Sequence, residues 1–176
     1  MKKNNKRGFT LVELVIVIAV IAILAAVLVP TFSSVINSAN KVAAESDAST
    51  LRTACMVVEK DDGDIYGSFD DYCAAKVNVK LVENNKLTID ECTIELKDIE
   101  NNFRIAQVTV SKEDNKETYT EVDEDGTWTM FYITASGYLV TITATSIKAE
   151  KSKTMPTIAK AESGDDTDSN DGTEVD

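Results

Sequence analysis

Twenty-one consecutive residues, Phe9 to Val29, contain only two polar side chains, Thr10 and Glu13. About twenty apolar residues in a helix span the hydrocarbon core of a bilayer, so the run has membrane length. Glu13 is its anomaly. A carboxylate within a membrane helix costs about 2.5–3.5 kcal/mol on insertion scales and ordinarily has a partner or a task. Lys2, Lys3, Lys6 and Arg7 stand immediately before the run. By the positive-inside rule they hold the N-terminus in the cytoplasm and place the remainder outside.

That remainder is acidic. The formal net charge is −12, and removing the four leading cations leaves −16, the reverse of a nucleic-acid footprint. A chain of 176 residues affords one membrane helix and one modest head. Histidine is absent, which excludes histidine-based triads and His-ligated zinc. Cys55, Cys73 and Cys92 allow one disulfide at most, and their spacing fits neither a CxxC metal site nor a redox pair. Ordinary semi-buried thiols are expected.

Beyond Pro30 the pattern turns amphipathic. Phe32, Val35, Ile36, Ala39, Val42, Ala43, Ala54, Val57 and Val58 fall near helical spacing, opposite Asn37, Asn40, Lys41, Glu45 and Asp47. The helix therefore continues to about Glu59, on the order of 75 Å in all, and packs its later part on the protein's own head. Pro30 lacks an N–H and crowds the carbonyl of Ala26, so a kink is expected there. Asp61-Asp62-Gly63-Asp64 ends the helix, and Ser68 caps a short one running to about Ala75.

Strand texture follows at Lys86–Ile89, Thr93–Leu96, Phe103–Val110, Thr127–Thr134 and Tyr138–Thr145. Gly137 joins the last two in a tight hairpin, and Glu113-Asp114-Asn115 and Asp123-Glu124-Asp125-Gly126 mark turns of an antiparallel meander. The expected order is a leader at 1–8, an apolar helix at 9–30, an amphipathic helix at 31–60, a head at 61–148 and a disordered acidic tail at 149–176. The fold class is α+β, a long helix kinked near Pro30 and packed on a small antiparallel sheet.

The run Lys6-Arg7-Gly8-Phe9-Thr10-Leu11-Val12-Glu13, followed by the apolar helix and Pro30, resembles the N-terminus of type IV prepilins and of the related pseudopilins. The resemblance covers roughly the first fifty residues. It implies the pilin fold, cleavage of the leader between Gly8 and Phe9 by a prepilin peptidase that also N-methylates Phe9, and polymerisation into a surface filament. It further implies the assembly platform and membrane lipids as partners, with Glu13 meeting the new α-amine of another subunit. A pseudopilin of a secretion or competence system shares this N-terminus, and a non-polymerising anchored binding domain is the alternative from another class. Many relatives carry a disulfide near the C-terminus, but no cysteine follows Cys92 here.

Phe9 and Glu13, four apart, share one helix face, so the pairing also fits within one chain, and a carboxylate near a helix N-terminus is favoured by the dipole alone. No metal site or cofactor is expected. Asp166, Asp168 and Asn170 imitate a calcium loop, but Asp171 holds the place of its glycine, and a solvated acidic surface is the reading for it and for Asp61–Asp64. Trp128, Met130, Phe131 and Tyr132 in one strand read as core. With no phosphate loop and no nucleophile–base set, the chain is not read as an enzyme, and direct nucleic-acid binding is not expected.

Overall fold

The computed structural model describes residues 9–98, 102–113 and 116–160. The chain forms two compact units, one up to Ala43 and one from Ala44 onward. Helix α1 covers Leu11–Val57 and contains Pro30 without a break in its assigned range. In the first unit its apolar side chains are exposed, and the helix is long and apolar enough to cross a membrane. Membrane-length hydrophobicity on which none of the described residues packs needs another apolar surround, either lipid or other helices.

In the second unit the end of α1 buries Ala44, Ala48, Leu51, Ala54 and Cys55. The spacing of 44, 48, 51 and 55 is that of one helix face, and the two leading alanines bring the helix backbone close to what it packs on. The buried face is therefore not the whole stripe expected from the sequence: Ala54 is buried and the half-buried Val58 packs against the core, whereas Val42 and Val57 are exposed. A stripe read from apolarity cannot distinguish a valine from a small alanine that fits a close contact. Helix α2, Phe69–Lys76, begins as expected, with the Ser68 hydroxyl accepting from the Asp71 N–H at 3.0 Å and Asp70 and Asp71 in its first turn.

The strands are β1 (Val82–Glu83), β2 (Lys86–Ile89), β3 (Cys92–Glu95), β4 (Phe103–Glu113), β5 (Lys116–Glu121), β6 (Thr127–Ile133), β7 (Tyr138–Ile142), β8 (Ile147–Lys151) and β9 (Ile158–Lys160). They form a three-stranded sheet, β1-β2-β3, and a six-stranded sheet ordered β8-β7-β6-β4-β5-β9. The second is not a plain meander. β6 pairs with β4 on the edge away from β5, and β9 runs parallel to β5. β5, Lys-Glu-Thr-Tyr-Thr-Glu, buries only Tyr119 and covers the outer half of β4, whereas β6 pairs along the other half, where Ile105 and Ala106 lie.

β6 is the centre of the head. Met130 and Tyr132 point into the main core with α1, while Phe131 points to the other face beside Ala106, Val108 and Tyr119. Phe131 and Tyr119 meet edge-to-face at 5.2 Å. Met155 and Ile158 pack on this second face. Residues 149–160, expected in a structureless tail, thus supply the end of β8, the crossing segment and β9; residues 161–176 lie outside the described residues. β7 alternates as its sequence predicts, with Tyr138, Val140 and Ile142 buried. Gly137, at φ +81°, closes the hairpin in a conformation that favours glycine.

Candidate functional site

The residues singled out at the N-terminus sit in the first unit. Thr10 is the N-cap of α1: its carbonyl accepts from the Leu14 N–H at 3.3 Å, and its hydroxyl accepts from the Glu13 N–H at 3.3 Å. Glu13 reaches back, and its Oε2 accepts from the Thr10 backbone N–H at 2.8 Å and from the Thr10 hydroxyl at 2.8 Å. This reciprocal arrangement is a capping box, in which Ser/Thr at the cap and Glu three residues later satisfy donors the helix cannot satisfy itself.

Glu13 thus has a partner the sequence reading did not assign. The pattern Thr-x-x-Glu before an apolar run was visible and names that partner. Two charge-assisted bonds hold the carboxylate at the start of the helix, where the unpaired N–H groups and the dipole also favour negative charge. Phe9, one residue before the cap, is 85% exposed. Gly8 and the leader lie outside the described residues, as do Asp114 and Asn115 of one expected turn and the calcium-loop imitation at Asp166–Asp171.

Pro30 supplies no N–H to the carbonyl of Ala26, and the Thr31 hydroxyl donates to the Val27 carbonyl at 3.0 Å within the same turn. Leu28, Val29, Phe32, Ser33, Ile36 and Asn37 line a shallow apolar groove of about 380 Å³ along this stretch.

The remaining candidates resolve into structural roles. Asp61–Asp64 is a turn closed by its own backbone, with Asp62 Oδ1 accepting from the Asp64 N–H at 3.2 Å. Among the described residues no cluster of three or more His, Cys, Asp or Glu is placed to hold a metal ion. Cys55 and Cys73 are buried free thiols and Cys92 is half-buried. Burial pushes the Cys55 thiol up to about 12 and raises Cys73 as well, so neither is a nucleophile near neutrality. Met130, Phe131 and Tyr132 are fully buried.

Residues 3–29 match the family model of the prokaryotic N-terminal methylation motif. The chain is 43% identical over 61 residues to prepilin peptidase-dependent protein A of Clostridium perfringens (strain 13 / Type A), a match covering 34% of this chain and 44% of that protein. It is 36% identical over 67 residues to the type IV major fimbrial protein FimA of Dichelobacter nodosus, covering 36% and 43%. It is 35% identical over 88 residues to a fimbrial protein of Moraxella nonliquefaciens, covering 50% and 56%. The chain therefore spans about half the length of the curated relatives it matches. No solved structure matches it. In its methylation motif and its long apolar N-terminal helix followed by an α+β head, this chain is similar to type IV pilin-like proteins.

Proposed function

We propose that the chain is a structural subunit of a type IV pilus. It waits in the cytoplasmic membrane with its N-terminus inside, loses residues 1–8 to a prepilin peptidase, is N-methylated at Phe9, and polymerises through α1 into a surface filament. The observation that carries this reading is the start of α1: an exposed Phe9, an acid one turn later held at the helix end by Thr10, and an apolar surface that none of the described residues covers.

Cleavage after Gly8 creates a cation at Phe9. A small residue lets the peptidase approach the backbone, and the new α-amine faces a carboxylate that is already oriented. Thr10 fills Oε2 of Glu13, and the amine of an incoming subunit takes Oε1. In a low-dielectric surround such a pair attracts far more strongly than in water, and it sets the axial register between helices. Subunit helices then exchange lipid contacts for packing on one another. The weakened turn at Pro30 gives α1 a place to yield as it packs.

Glu13→Gln keeps the side chain's shape and one acceptor for Thr10 but removes the charge. Membrane insertion and leader removal, read by intact mass, are expected to persist while electron microscopy finds filaments lost or irregular. Normal filaments from this variant would refute the registration role. Antibody to the head should label wild-type filaments along their whole length. Labelling confined to short periplasm-spanning structures would instead assign the chain to a pseudopilus.

A further inference from the structure

The six-stranded sheet does not lie flat. Arg104 on β4, Phe131 on β6, Thr141 on β7 and Lys148 on β8 stand in one row across it. Glu117 on β5 pairs with Lys112, eight residues further along β4 than Arg104. With about 3.3 Å per residue and about 4.8 Å between strands, a flat sheet would hold Glu117 about 33 Å from Lys148. Glu117 Oε2 instead lies 3.1 Å from Lys148 Nζ. Tyr119 pairs with Val110, which in a flat sheet would put it about 22 Å from Phe131, and the two rings meet at 5.2 Å.

The strand pairing explains the departure. β6 pairs with β4 only as far as Val108, so from Thr109 to Glu113 β4 has β5 on one side and, among the described residues, no strand on the other. A two-stranded ribbon twists more than a wide sheet. This one turns its outer half back across the face that carries Phe131. It is lightly held there: Thr109 to Glu113 are all exposed, and β5 buries only Tyr119.

Two side chains of β5 anchor the ribbon. Tyr119 sits in the small second core with Ala106, Val108 and Phe131. Glu117 Oε2 accepts from the Tyr119 hydroxyl at 2.9 Å and faces Lys148 Nζ, while its Oε1 lies 3.3 Å from Lys112 Nζ. Lys148 Nζ is also 3.0 Å from Glu150, so the anchor joins β5 to β8 at the far edge of the sheet. A cavity of about 420 Å³ is lined from both sides of this contact, by Lys112 and Lys116 of the ribbon and by Leu139 and Glu150 of β7 and β8. β9 depends on the ribbon in turn: it pairs with β5 at Tyr119 to Glu121, and Ile158 packs on the second core.

We propose that the outer half of β4 and β5 is a strap that opens as a unit while the main core stays closed, and that the contact between Glu117 and Lys148 is its latch. The main core is formed by α1, α2 and the opposite face of the sheet and contains no residue of the strap. Elements held by few buried apolar contacts open at a lower free energy than the whole fold. Opening withdraws Tyr119 from Phe131, bares the face around Ala106 and Val108, and releases β9. The head thereby covers and uncovers an apolar surface without unfolding, and the device does not depend on filament formation.

The test is hydrogen–deuterium exchange of the full chain in detergent at neutral pH, read segment by segment by mass spectrometry. In the wild type, residues 109–113 and 116–121 and β9 should share a protection factor about tenfold or more below that of Met130 to Ile133. Glu117→Gln keeps the side chain's shape and removes its charge; it should lower protection of the strap and β9 about fivefold and leave Met130 to Ile133 and Ala48 to Cys55 unchanged. Lys148→Met alters an exposed side chain on β8 and should lower protection of the strap about threefold, a change that a role confined to β8 would not produce. The double variant should fall no further than Glu117→Gln alone, because both substitutions break one latch. Should Glu117→Gln fail to fold, Lys148→Met carries the test by itself. Equal protection of the strap and Met130 to Ile133 in the wild type, wild-type exchange of the strap in Lys148→Met, a further fall in the double variant, or loss of protection spreading to Met130 to Ile133 would each overturn the proposal.

Discussion

Tyr132 offers a sharp test of how the head is packed. Its side chain is 0% exposed, and its hydroxyl has no hydrogen-bond partner among the described residues. An unsatisfied buried hydroxyl carries a desolvation penalty of about 1–3 kcal/mol. Tyr132→Phe removes that penalty, keeps the ring contacts, and leaves a void of one oxygen, which at about 24 cal/mol per Å³ costs a few tenths of a kcal/mol. The net expectation is a gain of about 1 kcal/mol. For a head of this size that raises the melting temperature by about 3–5 °C, read by near-ultraviolet circular dichroism of the full chain at neutral pH. The variant should also alter the alkaline limb. Burial, with a smaller contribution from the Asp47 carboxylate, raises the phenol above its ordinary value. A group whose folded pKa is raised contributes stability that is complete below its unfolded value, about 10, and is lost as pH rises beyond it. Removing the phenol should make stability fall less steeply above pH 10. A drop in melting temperature of about 3 °C or more on Tyr132→Phe would refute the reasoning, because it would mean the hydroxyl makes a bond that contributes net stability.

Three further outcomes are expected. Gly126→Ala would set a Cβ 2.5 Å from Val122 Cγ2, 2.9 Å from Gln107 Cγ and 3.1 Å from the Val108 backbone nitrogen; the forced shift should cost about 1–3 kcal/mol in a denaturant melt. Leu51→Ala, at a fully buried position on α1, should destabilise the head by about 3–5 kcal/mol while membrane insertion of the apolar segment is retained, as a fractionation and proteolysis experiment would show. Iodoacetamide at pH 8 should modify the half-buried Cys92 first, with Cys55 and Cys73 reacting only on unfolding. The same two thiols, raised by burial, should hold stability constant below their unfolded pKa of about 8.5 and lose their contribution above it, toward the folded value of about 12 for Cys55.

Parts of the head were legible because their signals are local. Ser68 before Phe69-Asp70-Asp71 identified the start of α2, and β2 has the range its sequence predicts, Lys86–Ile89. β1 and β9 were not legible. Each has two or three residues and is strand only because a partner lies beside it, Leu87 and Lys86 for β1 and Tyr119 to Glu121 for β9. Asn84 and Asn85, at φ 50° and 62°, form the turn between β1 and β2 without the usual glycine, so the hairpin carried no strong punctuation. At the candidate site Phe9, Glu13 and Pro30 stand out in the sequence, whereas the Thr10 partner of Glu13 is named only by the Thr-x-x-Glu pattern.

The sequence by itself determined the apolar helix and the spacing of Glu13 from Phe9. These depend on run length and separation along one chain. Even the Thr10–Glu13 cap is contained in four consecutive residues. Tertiary structure alone decided that α1 buries Ala44, Ala48, Leu51 and Cys55, that β6 pairs with β4 past β5, that Tyr132 loses its solvent, and that Glu117 meets Lys148. Those outcomes come from pairing between distant residues, where the gain is shared by both partners and neither segment carries the pattern alone.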